Sequence, residues 1–256
     1  MSTLALEIRK HHRSRLPFLL LGLGAVEILW LGSAVATQAS KAQGIRTLQT
    51  AALYDYLNFL TVLLGPTIAF LATRVAGVDQ DGRMGQLFRA LGQSAKRQFM
   101  LKLALLTGMG FILSMAMFAV SITIGYRAGL LEAGSYDSTF WLVAALGLIS
   151  TLAISAVQLA LCHLIDNAAG SVVIGIIGSL VASFLPFLHL PQLGWLLPWS
   201  LLVAGSPYPL ITPETQSAPD FPLVPNPGLM VALAGIIALA WVALSAWLVI
   251  RKEENA

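Results

Sequence analysis

Charge is scarce in this chain. Only 11% of its 256 residues are Asp, Glu, Lys or Arg, while 57% are hydrophobic. A soluble domain carries about 25% charged residues, so this chain could not cover a surface facing water. Cysteine is scarce too: Cys162 alone cannot form an intrachain disulfide, and a small buried hydrophobe is its expected role. No lysine follows a glycine, which excludes a phosphate-binding P-loop. The histidines His11, His12, His163 and His189 lie on different segments and build no His-Glu-x-x-His zinc site. No Gly-x-Ser-x-Gly elbow occurs, and Asp81-Gly82 lacks the further aspartates of a metal-dependent phosphotransferase. The expectation is a chain that is not an enzyme, with no catalytic residue and no metal of its own.

Long apolar runs are what the sequence has in abundance. Six are readable, at about 16–36, 54–73, 100–125, 140–162, 171–190 and 229–250. A helix rises ~1.5 Å per residue, so roughly 20 apolar residues cross a ~30 Å hydrocarbon core. Continuous runs of that length specify helices, because the strands of a membrane barrel are shorter and alternate in polarity. The expected fold class is an all-α membrane protein, one transmembrane domain over residues 1–256 with six spanning helices. Basic residues set its orientation. With the N-terminus inside, twelve of the fifteen lie on the cytoplasmic side, and only Lys41, Arg46 and Arg127 lie outside. That asymmetry is what the positive-inside rule requires, and it places both termini in the cytoplasm. The net charge of +3 therefore reports topology and gives no reason to expect a nucleic-acid partner. A basic start followed by an apolar stretch and Ala34-Val35-Ala36 has the outline of a signal peptide. Glu27 interrupts the stretch, so a retained first span is expected.

Between the runs, three segments carry information. Residues 3–15 place Leu4 and Ile8 on one helical face and Arg9, Lys10 and Arg13 largely elsewhere. This is either a short interfacial helix on the inner leaflet or a basic topogenic tail. Residues 79–92 follow the second run. Asp81 is a candidate N-cap, and Met84, Leu87, Phe88 and Leu91 recur on one helical face while Arg83 and Arg89 fall elsewhere. Gly92 ends the pattern. A helix this short is unstable alone, so its apolar face needs a partner protein or the bilayer surface. Residues 186–228 hold ten of the twelve prolines, which excludes a continuous helix there. The apolar Trp195-Leu196-Leu197-Pro198-Trp199 within it fits an external, re-entrant or interfacial segment over 191–228.

Polar and small residues inside the runs supply the remaining candidates. Glu27 lies near mid-bilayer, where a carboxylate is costly and faces a bundle interior or a wet cavity. It is either a polar point on a substrate path or a protonated side chain bonded to neighbouring helices, for example to Gln158. Asp55, between Tyr54 and Tyr56, fits a helix start or interface better than a substrate contact. Glu27, Asp55 and Gln158 together are the candidates for a substrate path. Ser171, Gly175, Gly178 and Ser179, with Gly22 of the first run, are small enough to let helices approach closely. They could serve packing within the chain or an interface with a second membrane subunit. Pro66, after Gly65, removes one backbone donor from the second helix.

These features resemble the permease subunit of ABC-2-type transporters, most closely the small permeases of lantibiotic and bacteriocin self-immunity. The resemblance rests on the six spans, the basic N-terminal helix and the stretch from Val78 through Arg83, Met84, Leu87 and Phe88 to Leu91. It rests also on Ser94-Ala95-Lys96-Arg97 with Lys102 opening the third span, and on Leu197-Pro198-Trp199-Ser200 before the last. Family members usually carry Glu near the start of the cytoplasmic segment and Pro before the Ser/Arg turn. Here those positions are Asp79 and Gly92 or Gln93. The resemblance implies a type V exporter-like permease fold in a bacterial cytoplasmic membrane. It implies a separate ABC ATPase, which binds ATP and Mg and docks on a coupling helix comprising Asp81, Arg83, Met84, Leu87, Phe88, Arg89 and Leu91. It implies a second permease, identical or similar, and as cargo an amphipathic antimicrobial peptide or drug. The competing readings are an ABC-2 permease for another cargo, such as a drug or lipid-linked glycan, and an ATPase-independent transporter or channel.

Overall fold

The computed structural model describes residues 16–41, 49–81, 94–127, 138–165, 167–188, 190–208 and 224–254. Among these residues the chain is helical, with no strand. Six helices make the bundle: α1 (Leu16–Lys41), α2 (Gln49–Asp81), α3 (Ala95–Arg127), α4 (Ser138–Leu164), α5 (Ala168–Phe184) and α6 (Pro227–Glu254). Five of them, all but α5, are long and apolar enough to cross a membrane. α5 has 17 residues, about 25 Å of helix, and sits at the short end of the spanning range. Leu185 keeps helical dihedrals and still donates to Val181 O, but Pro186 has no N–H to offer the Ala182 carbonyl, and α5 stops at Phe184.

The helices extend past the apolar runs that announce them. α1 continues to Lys41 and α2 begins at Gln49, so residues 37–41 and 49–53, expected in an external loop, are helical. α2 also runs on to Asp81, eight residues past the expected end of the second span. Helical hydrogen bonding has no reason to stop where the hydrocarbon does, and no proline or cap interrupts it there. Asp79 and Asp81 therefore belong to the end of α2. The interfacial segment 3–15 lies outside the described residues, as does the coupling pattern from Arg83 to Leu91.

Contacts across the bundle fix the direction of each helix. Glu27 of α1 meets Thr67 of α2, and Trp30 meets Phe59 edge to face at 5.7 Å between centroids, so these helices run antiparallel. Tyr56 lies beside Phe118 of α3, while Gly110 faces Ile68, which makes α2 and α3 antiparallel too. Lys252, near the end of α6, donates to His163 O at 2.9 Å and Leu164 O at 3.4 Å, so α6 ends where α4 ends. One end of the bundle thus gathers Arg74, Lys96, Arg97, Lys102, Arg251 and Lys252. Among the described cations only Lys41 and Arg127 lie at the other.

α2 is the most enclosed of the helices and packs on α1, α3, α4 and α5. Its core positions, Leu60, Leu64, Ile68, Leu71 and Val75, are fully or nearly fully buried. The pairs α4–α6 and α2–α5 make the most extensive contacts. Among aliphatic chains in lipid, close packing stabilises such pairs more than the hydrophobic effect does.

The proline-rich stretch is folded where it is described. After Phe184 the chain makes a turn, then two 3-10 turns at Pro191–Trp195 and Pro198–Ser200, then a single helical turn at Leu201–Ala204. Pro198, Trp199, Ser200, Leu201 and Leu202 are buried against the bundle, so this irregular backbone is shielded by protein. The Ser200 hydroxyl donates to Gly194 O at 2.7 Å and Leu197 O at 3.0 Å, tying the turns to one another. Asn226, with φ at 55°, opens α6 from the left-handed conformation that Asn tolerates, and its carbonyl accepts from Leu229 N at 3.0 Å.

The packing makes a paired prediction for two glycines. A Cβ on Gly65 would lie 1.9 Å from Ser179 Oγ and 3.0 Å from the Gly175 carbonyl, whereas a Cβ on Gly22 meets nothing within 4 Å. Gly65→Ala is expected to destabilise the detergent-purified protein by about 1–3 kcal/mol through overpacking. Gly22→Ala is expected to be neutral or to stabilise by about 0.5–1 kcal/mol through helix propensity. Thermal unfolding of the two variants side by side checks both.

Candidate functional site

Polar side chains inside a membrane bundle need partners there, because lipid offers none. The described residues arrange them in three groups. The first joins α1 to α2. Glu27 is 4% exposed, and its carboxyl accepts a hydrogen bond from Thr67 Oγ1. Thr67 follows Pro66, so the one proline inside α2 is followed at once by the hydroxyl that holds Glu27. The expected partner, Gln158, is elsewhere. Periodicity places Glu27 in the interior but says nothing of which helix faces it.

The second group joins α4 to α5. Gln158 is fully buried. With its amide turned so that oxygen and nitrogen exchange places, it donates to Ser171 O at 3.2 Å and accepts from Gly175 N at 3.3 Å. Ser171 and Gly175 are the two ends of one helical rung, so Gln158 lies alongside that rung and bonds both its atoms. The Ser171 hydroxyl is 3.3 Å from the amide and 3.2 Å from Cys162 Sγ. Cys162 is thus a buried packing group with a weak polar contact, as expected of it.

The third group joins α2, α3 and α4 in the half of the bundle away from the basic end. Tyr56 is fully buried, and its hydroxyl is 2.6 Å from Ser114 Oγ. Phe118 stands edge-on to Tyr56 at 5.2 Å and to Phe140 of α4 at 5.7 Å. Nothing in the sequence singles out this trio, since Tyr, Ser and Phe are ordinary at those positions.

The three substrate-path candidates do not converge. Asp55 is buried but lies twelve positions from Thr67 on α2, about 18 Å along the helix axis. Gln158 is occupied by α5. Of the two roles open to the small-residue face of α5, the structure shows packing within the chain. Ser171, Gly175 and Ser179 are buried within the chain, and a Cβ on Gly178 would lie 2.4–2.7 Å from the Trp199 ring. That face closes against α2, Gln158 and Trp199. The exposed side of α5 carries Val173, Ile177, Leu180, Val181 and Phe184 instead. Gly22 remains open on the surface of α1.

At the basic end, Lys102 is 3% exposed, although it is a charged residue near the start of α3. It lies within electrostatic reach of Cys162 and His163, at the carbonyl end of α4, where a cation complements the helix dipole. Lys252 approaches the same turn from α6. The His163 ring donates through Nδ1 to Leu159 O at 2.8 Å. Two lysines from different helices therefore converge on the end of α4, close to the α4–α5 turn.

The polar pairs predict distinct responses. Thr67→Val strands the buried Glu27 carboxyl and is expected to lower stability by about 1–3 kcal/mol. Glu27→Gln keeps a hydrogen-bonding group of the same shape and is expected to stay near the parent. Gln158→Leu removes the α4–α5 bonds and is expected to lower stability by about 1 kcal/mol. Melting temperatures in one detergent rank the three, and a Thr67→Val protein as stable as the parent would remove the pairing.

Residues 3–182 match a protein family described as ABC-2 family transporter protein. No curated protein and no solved structure matches the chain. The matched stretch ends inside α5, so the proline-rich segment and α6 lie beyond it. It contains α1 to α4 and most of α5, with both of the polar pairs that hold α2 to its neighbours. The chain belongs to the ABC-2 family of transporter proteins, and it is a multi-pass membrane permease subunit of an ABC exporter whose partner is an ABC ATPase.

Proposed function

We propose that this permease spans a bacterial cytoplasmic membrane six times, with α5 as the short sixth span and both termini inside, and exports an amphipathic antimicrobial peptide or drug. The basic end of the bundle is the cytoplasmic one, because cations are retained on that side during insertion. The observation that carries the proposal is the shape of α2 and α3. Each has 33 residues, about 50 Å of helix, and they are the longest in the chain. They run antiparallel and carry residues 82–93 between their basic ends. A ~30 Å hydrocarbon core cannot enclose them, so their excess length stands outside it.

In this reading the docking helix for the ATPase, expected over residues 79–92, begins after the end of α2 at Asp81 and carries Arg83 to Leu91. Leu87 and Phe88 enter the ATPase surface, while Arg83 and Arg89 face solvent or acidic partner groups. ATP and Mg bind in the partner, since this chain has no P-loop. Closure of the paired ATPases displaces the docking helix and with it the adjoining ends of α2 and α3. α2 touches four other helices, so a movement entering through it reaches most of the bundle. A second permease, identical or similar, completes the pathway.

Glu27 acts in this scheme as a bond between α1 and α2. Its burial against Thr67 favours that over a charged contact with cargo. The exposed apolar sides of α1 and α5, with Gly22, are the surfaces left for lipid or a second permease.

Two experiments test the proposal. Leu87→Asp or Phe88→Asp is expected to abolish copurification of the ATPase in mild detergent while the permease keeps its melting temperature. Unchanged copurification and unchanged transport would remove the docking role. Cells expressing the permease with its ATPase are expected to tolerate higher doses of amphipathic peptides than cells with Phe88→Asp. Equal tolerance, with the complex intact in the parent, would point to a different cargo.

A further inference from the structure

We propose that the seam between α2 and α5 is the surface that parts during transport, and that Trp199 is the removable wedge that closes it. For its driving force this rests on the ATPase-coupled reading above. The wedge itself stands on geometry alone.

The first observation is how the helices are joined. α1 is bonded to α2 by Glu27 and Thr67, α3 to α2 by Tyr56 and Ser114, α5 to α4 by Gln158, and α6 to α4 by Lys252. α2 and α5 make one of the two largest helix contacts in the chain. Yet among the described residues no side-chain hydrogen bond crosses between them. Their contact is held by shape, through dispersion that a gap of ~0.5–1 Å already weakens by a quarter to a half and that leaves no bond to break. This extensive seam can open without breaking a side-chain hydrogen bond between described residues.

The second observation is what fills the seam. A Cβ on Gly65 of α2 would lie 2.9 Å from Trp199 Cδ1, and one on Gly178 of α5 would lie 2.4–2.7 Å from the same indole. Trp199 thus sits in a cradle made by one glycine from each helix. Gly65 is ten positions from Asp55, about 15 Å along α2, so the ring reaches well into the membrane-spanning part. The turn that carries it is bonded to itself through Ser200, and among the described residues no hydrogen bond ties it to α2. It can leave the cradle as a unit.

The third observation is polar strain at the same level. Ser179 Oγ is fully buried beside Gly65 and has no hydrogen-bond partner. One residue along, Pro66 has no N–H to offer the Val62 carbonyl. A buried hydroxyl without a partner is unfavourable in the closed packing and is relieved when water enters. The closed seam is therefore well packed but incompletely satisfied, which suits a joint with two arrangements. The family match stops at residue 182, so the wedge is a feature read from this chain's own structure.

The test uses the permease copurified with its ATPase and reconstituted in proteoliposomes. The background carries Cys162→Ala, so that Ser179→Cys supplies the single thiol, and a small methanethiosulfonate reagent is the probe. Labelling follows the population of the open form. Ser179→Cys is expected to be protected without nucleotide. It is expected to label about tenfold faster or more in Trp199→Ala, and likewise in the parent during ATP turnover. Trp199→Phe, which keeps a ring in the cradle, is expected to retain protection. Protection that persists in a folded Trp199→Ala protein would overturn the wedge. Labelling that Trp199→Ala accelerates but ATP turnover does not, while hydrolysis proceeds, would overturn the seam as the moving surface. A complex that hydrolyses no ATP would defeat the motor reading and with it the moving seam, while the nucleotide-free comparison still decides the wedge.

Discussion

Helix α2 holds the bundle together, and it does so because lipid cannot bond a polar side chain. A buried hydroxyl or carboxyl on α2 must bond its own helix, as Thr61 does through Leu57 O, or reach a neighbouring one, and each that reaches a neighbour fixes a register. Thr67 reaches Glu27 on α1. Tyr56 reaches Ser114 on α3, and Gly147 of α4 leaves room for that pair, since a Cβ there would sit 2.9 Å from Ser114 Oγ. Each pair stabilises only modestly by itself, on the order of 1 kcal/mol in membrane proteins. Their larger effect is selective: an altered register would strand both partners. α5 meets the same helix with no such pair, and this asymmetry separates the parts of the bundle that are tied from the part that is only packed.

The proline-rich segment completes what α5 leaves unfinished. α5 ends after 17 residues, at the short end of the spanning range. The turns over Pro191–Ala204 fold back against α2, α4, α5 and α6 and supply apolar volume there. Backbone that is neither helix nor strand survives in such a place only under protein cover, and the burial of Pro198 through Leu202 provides it. A sequence that looks like a linker by its prolines is a structural wedge by its packing. Trp199 connects that wedge to the core, and Gly65 and Gly178 are glycines where the indole leaves no room for a side chain.

An ABC-2 permease works with a separate ABC ATPase, and in the proposed scheme the work passes into it mechanically. The basic end of α2 and α3 is the natural point of entry in this chain, since these helices are longest and carry the adjoining loop. Lys102 and Lys252 converge on the neighbouring end of α4, so the α4–α5 turn is braced from two sides. In the proposed scheme a push on α2 meets α4, which Lys252 joins to α6, and a seam with α5 that no side-chain hydrogen bond crosses among the described residues.

Much of this was legible in the residues. The apolar runs became helices at nearly the expected places, and the excess of cations at one end matched the structure's own basic end. The breaks at Pro186 and Pro198 fell where proline forbids a helix. These features depend on composition along the chain, to which a helix and a bilayer respond directly. Helix ends were less legible, as the extension of α2 to Asp81 shows, because polar residues can continue a helix past the membrane. Partnerships were not legible at all. Whether Glu27 meets Gln158 or Thr67 depends on the rotation and register of three helices. Whether Ser171, Gly175 and Ser179 face a second subunit or their own chain depends on where α2 and Trp199 lie. The sequence by itself determined a helical membrane protein with its cations gathered at one end, because apolar length and charge asymmetry are local properties. Only the tertiary structure decided which helices are bonded and which are merely packed, because that follows from distances between residues far apart in the chain.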